Sequence, residues 1–363
     1  MKITAAVLRA PHEPLALEET ELEGPRPDEV LVRLVAAGVC HTDLVTAAGH
    51  DPAAPPLVLG HEGAGVVEAV GADVEAVQPG DHVVLSYGWC GLCAKCGQGR
   101  MAYCDSFLEL NHHGTRPDGS TAMSRDGEPI RSHFFGQSSW AAYSLTTERN
   151  VVRVASDLPL EHLAPLGCGV QTGAGAVLNA LRPRKGSSLA VFGAGAVGLS
   201  AVMAARIAGC EPIVAVDPDP HRRALAEALG ATAVVDPTAG PPAEAVVELT
   251  GGVDHAVECS GLPFVVQAAV ASLATPGMCV TVGFQGRANP VRLDQTMLVM
   301  GRGIRGSVGG DAIPQRFIPR LIEHHRAGEL PVERLVRTFS FADVNEAMAA
   351  ARDGAAVKPV LIF

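Results

Sequence analysis

The sequence predicts an α/β protein in which a doubly wound parallel sheet of six strands interrupts a second, mostly β region. Three observations predict it. The chain has 363 residues, long for a single hydrophobic core, so two domains are expected. The first 150 or so residues carry short period-two runs cut by Gly and Pro, whereas from about 170 strand-like and helix-like runs alternate. A glycine pattern, Gly193-Ala194-Gly195-Ala196-Val197-Gly198, follows the first apolar run of that alternating region.

In the leading region, Val30-Leu31-Val32-Arg33-Leu34-Val35 and Gly65-Val66-Val67-Glu68-Ala69-Val70 illustrate the pattern. Such runs read as antiparallel or mixed strands with one buried face. The polar stretch 105–138, rich in His, Gly and Asp, reads as a long loop. Beyond 170, strands are expected at 188–192, 212–217, 232–235, 254–258, 278–282 and 303–307. Helices are expected after the first strand to about residue 208 and over 220–229. Six strands are the number a doubly wound fold uses. The last 50 residues return to a helix and short strands ending in Val360-Leu361-Ile362-Phe363, so the tail should rejoin the first region. The expected division is 1–169 with 308–363, and 170–307.

Composition excludes some classes. Hydrophobic residues make up 47% and charged residues 18%, a globular rather than disordered balance. A net charge of −11 with no basic stretch argues against a nucleic-acid partner, because a polyanion would be repelled. Residues 186–205 are uncharged and long enough for a membrane helix, yet three glycines and a central turn signal favour a buried strand, turn and helix. Met1-Lys2-Ile3-Thr4 enters a strand-like pattern directly, so no signal peptide is expected. Clustering of four of the nine cysteines points to a metal in a reducing compartment, the cytoplasm, rather than to disulfides.

That cluster is Cys90, Cys93, Cys96 and Cys104, C-x2-C-x2-C-x7-C. Four thiolates at such spacing wrap a tetrahedral zinc and leave no position for water, so the site is structural. The same thiolates could hold an iron–sulfur cluster.

Gly193, Gly195 and Gly198 form G-x-G-x-x-G, with Val197 inside it, after the apolar Leu189-Ala190-Val191-Phe192 and before a helix. In that context the first glycine allows the turn, the second admits a pyrophosphate, and the third lets helix and strand pack. The helix N-terminus adds free N–H groups for the phosphates. Nineteen residues past Gly198, Asp217 ends the second strand, where a carboxylate would accept both ribose hydroxyls and repel a 2′-phosphate. NAD is therefore expected over NADP, although Arg222 and Arg223 could soften the preference.

Cys40, His61 and Cys168 are further metal candidates, each beside glycines, and together they would leave a fourth position open as in a catalytic zinc site. No local spacing joins them. Taken singly, each could be a buried structural residue, the commoner case for a lone cysteine.

GHEGAGVVEAVG (60–71), the four-cysteine lobe, GCGVQTGAGAVLNAL (167–181) and GAGAVG together resemble the zinc-containing medium-chain alcohol dehydrogenases, in order and over nearly the full length. FFGQSSWAAYS (134–144) looks most like the aryl (benzyl) branch. The resemblance implies a six-stranded Rossmann domain binding NAD and a GroES-like zinc domain. It implies that Cys40, His61 and Cys168 bind the catalytic zinc with Glu62 beside it. Thr42 would contact the substrate oxygen and start a proton relay, and Asp43 would orient His61. His41 would lie near the pyrophosphate, Lys358 near the coenzyme, and Arg222 at the adenosine ribose. Phe134, Phe135 and Phe284 match pocket-lining positions, and Ser86 stands where some relatives carry a bulkier residue. Val45 departs from the pattern: many relatives have a histidine there to end the relay.

The expected activity is reversible hydride transfer between a primary alcohol, aromatic or allylic, and NAD, with two zinc ions per chain in a homodimer or homotetramer. An S-(hydroxymethyl)glutathione dehydrogenase is the nearest rival, though the first region offers no cationic cluster for glutathione carboxylates. A silent NAD-binding protein of the same fold would be expected to have lost zinc ligands, and all seven candidates are present.

Overall fold

A computed structural model of the chain describes residues 1–50, 52–286 and 288–363. It divides into two compact units, Met1–Cys168 with Ile313–Ile322 and Val332–Phe363, and Gly169–Ala312 with Glu323–Pro331.

The first unit begins with β1 (Lys2–Leu8), β2 (Ala16–Leu22), β3 (Glu29–Gly38), β4 (Leu57–Val58) and β5 (Gly63–Val70). It continues with β6 (His82–Leu85), β7 (Met123–Arg125), β8 (Glu128–Ile130), β9 (Tyr143–Thr147) and β10 (Val151–Val154). One sheet runs β4-β1-β2-β7-β8. A core of Val7, Leu57, Leu59, Phe134, Trp140 and Leu145 lies under it. Strand β2 keeps strict alternation, but two of its inward side chains are Glu18 and Thr20, and Arg9 and Arg125 neutralise Glu18.

The stretch 105–138 is not the plain loop its composition suggests. It contains a helix Phe107–His112 and the β7–β8 hairpin. Asp126 and Gly127 both sit at positive φ, 51° and 84°, which is the backbone a two-residue turn between twisted antiparallel strands requires. The Asp-Gly signal was present but diluted by the polar residues around it.

The second unit contributes β11 (Leu189–Phe192), β12 (Ile213–Val216), β13 (Ala233–Val235), β14 (Val253–Glu258), β15 (Leu273–Thr281) and β16 (Arg302–Gly306). All five pairings are parallel and the order is β13-β12-β11-β14-β15-β16, the doubly wound arrangement predicted above. Both faces of a parallel sheet are covered, and β11 and β12 are accordingly apolar and buried throughout. The uncharged run 186–205 resolves into β11, a turn and the helix Ala196–Ile207. Among the described residues no helix is long and apolar enough to cross a membrane.

The chain then returns to the first unit as β17 (Val336–Ser340) and β18 (Lys358–Ile362). Strand β18 pairs antiparallel with the end of β3, Val360 opposite Gly38, in the sheet ordered β10-β6-β5-β3-β18-β17 with β9 also on β3. That pairing brings Lys358 to the segment carrying Cys40.

Candidate functional site

Strand β3 ends at Gly38, and Cys40 caps the helix His41–Ala47 that follows. The cap is reciprocal: Asp43, at the third helical position, accepts the Cys40 N–H at 2.9 Å through Oδ2. Its other oxygen accepts from Gly60 N at 3.1 Å and lies 2.9 Å from His61 Nδ1. Asp43 is fully buried, so one carboxylate fixes two backbone segments and one imidazole. Holding Nδ1 leaves Nε2 of His61 to face the sulfurs, and that buried nitrogen has no hydrogen-bond partner among the described residues.

The ligand atoms of Cys40, His61 and Cys168 lie within 4.8 Å of one another. An orphaned imidazole nitrogen converging with two thiols is the donor set of a three-ligand zinc site with one position open. The hydrogen bond from the Cys168 thiol, helped by His61 and Lys358, holds the Cys40 thiol well below its ordinary value. A thiolate is the form that binds metal. Burial works against a charge on His61, but Asp43 and Cys40 outweigh it and raise the imidazole.

Glu62 is fully buried beside this set, and burial raises its carboxyl pKa against the pull of Lys358. Lys358 Nζ donates to Glu62 Oε1 and Oε2 at 3.0 and 2.9 Å and to Val39 O at 3.0 Å. Room for the carboxylate comes from Gly38, where a Cβ would stand 1.9 Å from Glu62 Oε2. Expected near the coenzyme, Lys358 has its ammonium group committed to the Glu62 and Val39 segments.

An aromatic wall flanks His61. Phe135 stacks on the imidazole with centroids 4.5 Å apart, Phe134 meets it edge-on at 5.7 Å, and His112 packs 4.9 Å from Phe135. Phe135 does this at φ 51°, ψ 33°, a left-handed backbone that a bulky residue seldom adopts. Gln137 braces the wall: its Nε2 donates to His61 O at 3.0 Å and its Oε1 accepts from Gly63 N at 3.0 Å. Gln137 and His112 were not singled out from the sequence. The only signal was their closeness to Phe134 and Phe135. Ser86 is buried and donates to Gly167 O at 2.8 Å, next to Cys168. Thr42 Oγ1 lies 4.0 Å from Cys40 Sγ, whereas His41 is exposed at the start of its helix. Phe284 belongs to the second unit and is 38% exposed.

Cys90, Cys93, Cys96 and Cys104 also converge within 4.8 Å, with Cys90 and Cys96 sulfurs 4.0 Å apart. Tetrahedral zinc with Zn–S of about 2.3 Å sets sulfurs about 3.8 Å apart, so the set fits that ion. Backbone N–H groups of Leu92 and Cys93 donate to Cys90 Sγ, each at 3.4 Å, and that of Cys90 to Cys104 Sγ at 3.3 Å. Amides of Asp105 and Cys96 bring the Cys93 thiol down to about 6.

In the second unit Gly193 sits at φ 94° between β11 and its helix, and a Cβ on Gly198 would lie 1.8 Å from Gly193 O. A Cβ on Gly195 would meet nothing within 4 Å, so that edge of the turn is open for a phosphate at the helix N-terminus. Val197 is half-buried in the first helical turn. Asp217 Oδ2 accepts from Ala194 N at 2.7 Å and Oδ1 from Asp219 N at 2.9 Å, tying the second strand to the glycine turn. Arg222 Nε lies 3.9 Å from Asp219 Oδ2.

A fold with two sulfur-rich donor sets and a dinucleotide turn defines a zinc-binding dehydrogenase, and comparison with known proteins agrees. Residues 26–156 match the family profile described as alcohol dehydrogenase GroES-like domain, and 196–324 match zinc-binding dehydrogenase. A geraniol dehydrogenase from Castellaniella defragrans is 46% identical over 365 positions, covering 99% of this chain and 97% of that protein. S-(hydroxymethyl)glutathione dehydrogenases of Escherichia coli are 37% identical over 370 positions, spanning all of both chains. The crystal structure of benzyl alcohol dehydrogenase from Acinetobacter calcoaceticus is similar at TM-score 0.97 with 41% identity, covering 100% of this chain and 99% of that one. The chain belongs to the zinc-containing medium-chain alcohol dehydrogenase family, whose cofactors are zinc and NAD.

Proposed function

We propose that this alcohol dehydrogenase acts on primary alcohols with an aromatic or allylic carbon skeleton and on the matching aldehydes. The observation that carries the reading is the Phe134, Phe135 and His112 wall around the open Nε2 of His61. A planar apolar substrate covers such a wall, whereas a small aliphatic alcohol leaves it wet. Two similar proteins are named for geraniol and benzyl alcohol, a primary allylic and a primary aromatic alcohol.

We assign the catalytic zinc to Cys40, His61 and Cys168 and the structural zinc to the four-cysteine lobe. When bound, zinc polarises the substrate oxygen as a Lewis acid and the nicotinamide carries the hydride. The chain's own residues do the rest. Asp43 keeps His61 in the tautomer that presents Nε2. Thr42, two residues from Cys40, takes the alcohol proton on its hydroxyl and passes its own on to water. Val45, buried one turn into the same helix, has no atom to accept it next. Phe134 and Phe135 orient the carbon skeleton, with Ser86 completing the pocket wall on this unit. Lys358 supports Cys40 and His61 through Glu62 and Val39. The Gly193–Gly198 turn with Val197 holds the pyrophosphate, and Asp217 takes the adenosine ribose beside Arg222. In this reading the first unit is the zinc-binding catalytic domain and the second the NAD-binding one.

The E. coli relatives raise glutathione adducts as a second substrate class. Arg116 and Lys358, two cations of the first unit, are buried against Glu29 with Glu23 and against Glu62, which leaves neither for a glutathione carboxylate. A homodimer or homotetramer fits the exposed Leu298, Val299 and Met300 just ahead of β16, the last strand of the parallel sheet. A cytoplasmic setting suits the six cysteines assigned to zinc. Benzyl alcohol, geraniol, ethanol and formaldehyde with glutathione, assayed side by side with NAD, test the proposal. Higher kcat/KM for ethanol or for the glutathione adduct than for the first two would reject it.

A further inference from the structure

Asp217 and Asp236 sit side by side. Strands β12 and β13 are parallel, Val216 opposite Val235, so each aspartate is the first residue beyond the C-terminal end of its strand. Arg223, from the helix Pro220–Leu229, spans the two positions. Its Nη1 donates to Asp217 O at 2.8 Å and Pro218 O at 2.9 Å, and its Nη2 pairs with Asp236 Oδ2 at 3.0 Å. Asp236 is itself fixed, because its Oδ1 accepts from Thr238 N at 2.9 Å and Thr238 Oγ1 at 2.7 Å. The guanidinium is largely buried, 16% exposed, and Asp236 34% exposed.

A cation this close to the ribose carboxylate would ordinarily attract a 2′-phosphate, since Arg is the usual partner for one at this end of the second strand. Here its fork is already used: one nitrogen by two carbonyls and another by a carboxylate. Arg222 differs, being only 3.9 Å from Asp219 and without a hydrogen bond at its buried Nε among the described residues.

We propose that Asp236 is a positioning residue for cofactor choice: by holding Arg223 it withholds that cation from a 2′-phosphate and sharpens the preference for NAD. The inference rests on Asp217 taking the adenosine ribose. Two carboxylates flank one arginine, so the local balance beside the ribose stays negative and NADP is repelled. Without Asp236, the guanidinium keeps its place on the Asp217 and Pro218 carbonyls with Nη2 released, and the phosphate gains a donor.

The test compares kcat/KM for NAD and NADP, together with NADPH binding followed by its fluorescence, in four proteins: wild type, Asp236→Asn, Asp236→Asn with Arg223→Gln, and Asp217→Asn. Asp236→Ser replaces Asp236→Asn if the latter does not fold. The expected result is a rise of about tenfold or more in the NADP-to-NAD ratio on losing Asp236, abolished when Arg223 is also replaced. An unchanged ratio overturns the proposal. So does a rise that survives Arg223→Gln, because charge removal alone then explains it. If Asp217→Asn leaves the ratio unaltered, the ribose reading itself fails. If Asp217→Asn shifts it and Asp236→Asn does not, only the role of Asp236 falls.

Discussion

Phe135 lies nearly parallel to the imidazole of His61, the ring planes 26° apart and the centroids at 4.5 Å, and it reaches this position from a left-handed backbone. A left-handed non-glycine residue costs on the order of 1–3 kcal/mol, and such positions cluster at functional sites. Replacing Phe135 by Leu should therefore weaken the aromatic substrate more than the coenzyme. We expect kcat/KM for benzyl alcohol to fall about tenfold, the scale of one lost aromatic pair, with KM for NAD within about twofold. Steady-state kinetics in both substrates checks this.

Cys40→Ser and Cys96→Ser should separate the two donor sets. The first is expected to abolish turnover while retaining one zinc and a cooperative melt. The second should also lose one zinc but lower Tm, because a structural zinc contributes folding free energy directly. Metal analysis and calorimetry of the two variants decide; full activity in Cys40→Ser would refute the ligand assignment.

Asp43 joins Cys40 N, Gly60 N and His61 Nδ1 through one buried carboxylate. Asp43→Asn preserves the shape but keeps only one oxygen, so it can no longer accept on one side from Cys40 N and on the other from Gly60 N and the His61 ring. The expected loss is about 10–100-fold in zinc affinity, the usual scale for a partner behind a metal-bound histidine. Competition with a chelator gives the value independently of turnover.

Removing Lys358 would strand Glu62, which is fully buried, without its cation. Lys358→Met should cost about 3–5 kcal/mol, and Lys358→Met with Glu62→Gln much less, since the penalty is the unpaired buried charge rather than the missing bond. Urea titrations of the single and double variants read the difference.

His133 gives a pH signature. It is 6% exposed, and burial with the nearby Arg116 lowers its pKa to about 4. The unfolded chain holds this group near pH 6.5. Between those values the unfolded state binds a proton that the folded state refuses, so stability rises with pH and is lost on acidification. The slope is about 1.4 kcal/mol per pH unit, about 3 kcal/mol over the window, whose upper part lies above the range where most carboxylates titrate. His133→Gln should flatten the stability curve between pH 6.5 and 5; an unaltered slope would assign the acid sensitivity to other groups.

The parallel sheet was legible because its strands are short apolar runs separated by helix-period segments, so hydrophobic pattern and element order agree. Cys90, Cys93, Cys96 and Cys104 were legible for a different reason: one loop supplies all four thiols, and local spacing encodes the geometry. Cys40, His61 and Cys168 have no such spacing, and only family resemblance grouped them before the sheet brought them together. Gln137 and the Glu62–Lys358 pair left no trace in the pattern. Their partners are chosen by tertiary contact, 76 residues away for His61 O and 296 for Lys358. Composition misled once, at 105–138, where polar residues hid a hairpin.

The separation of Glu62 from Lys358 also sets an order of events during synthesis. At about 5–20 residues per second, the ribosome delivers Lys358 roughly 15–60 s after Glu62. The four-cysteine lobe is finished within 15 residues of chain and can capture its metal early. The Glu62 carboxylate, which lies beside the second donor set, has no lysine to pair with until β18 docks on β3. The ion pair that braces the second donor set is therefore among the last contacts that synthesis makes available.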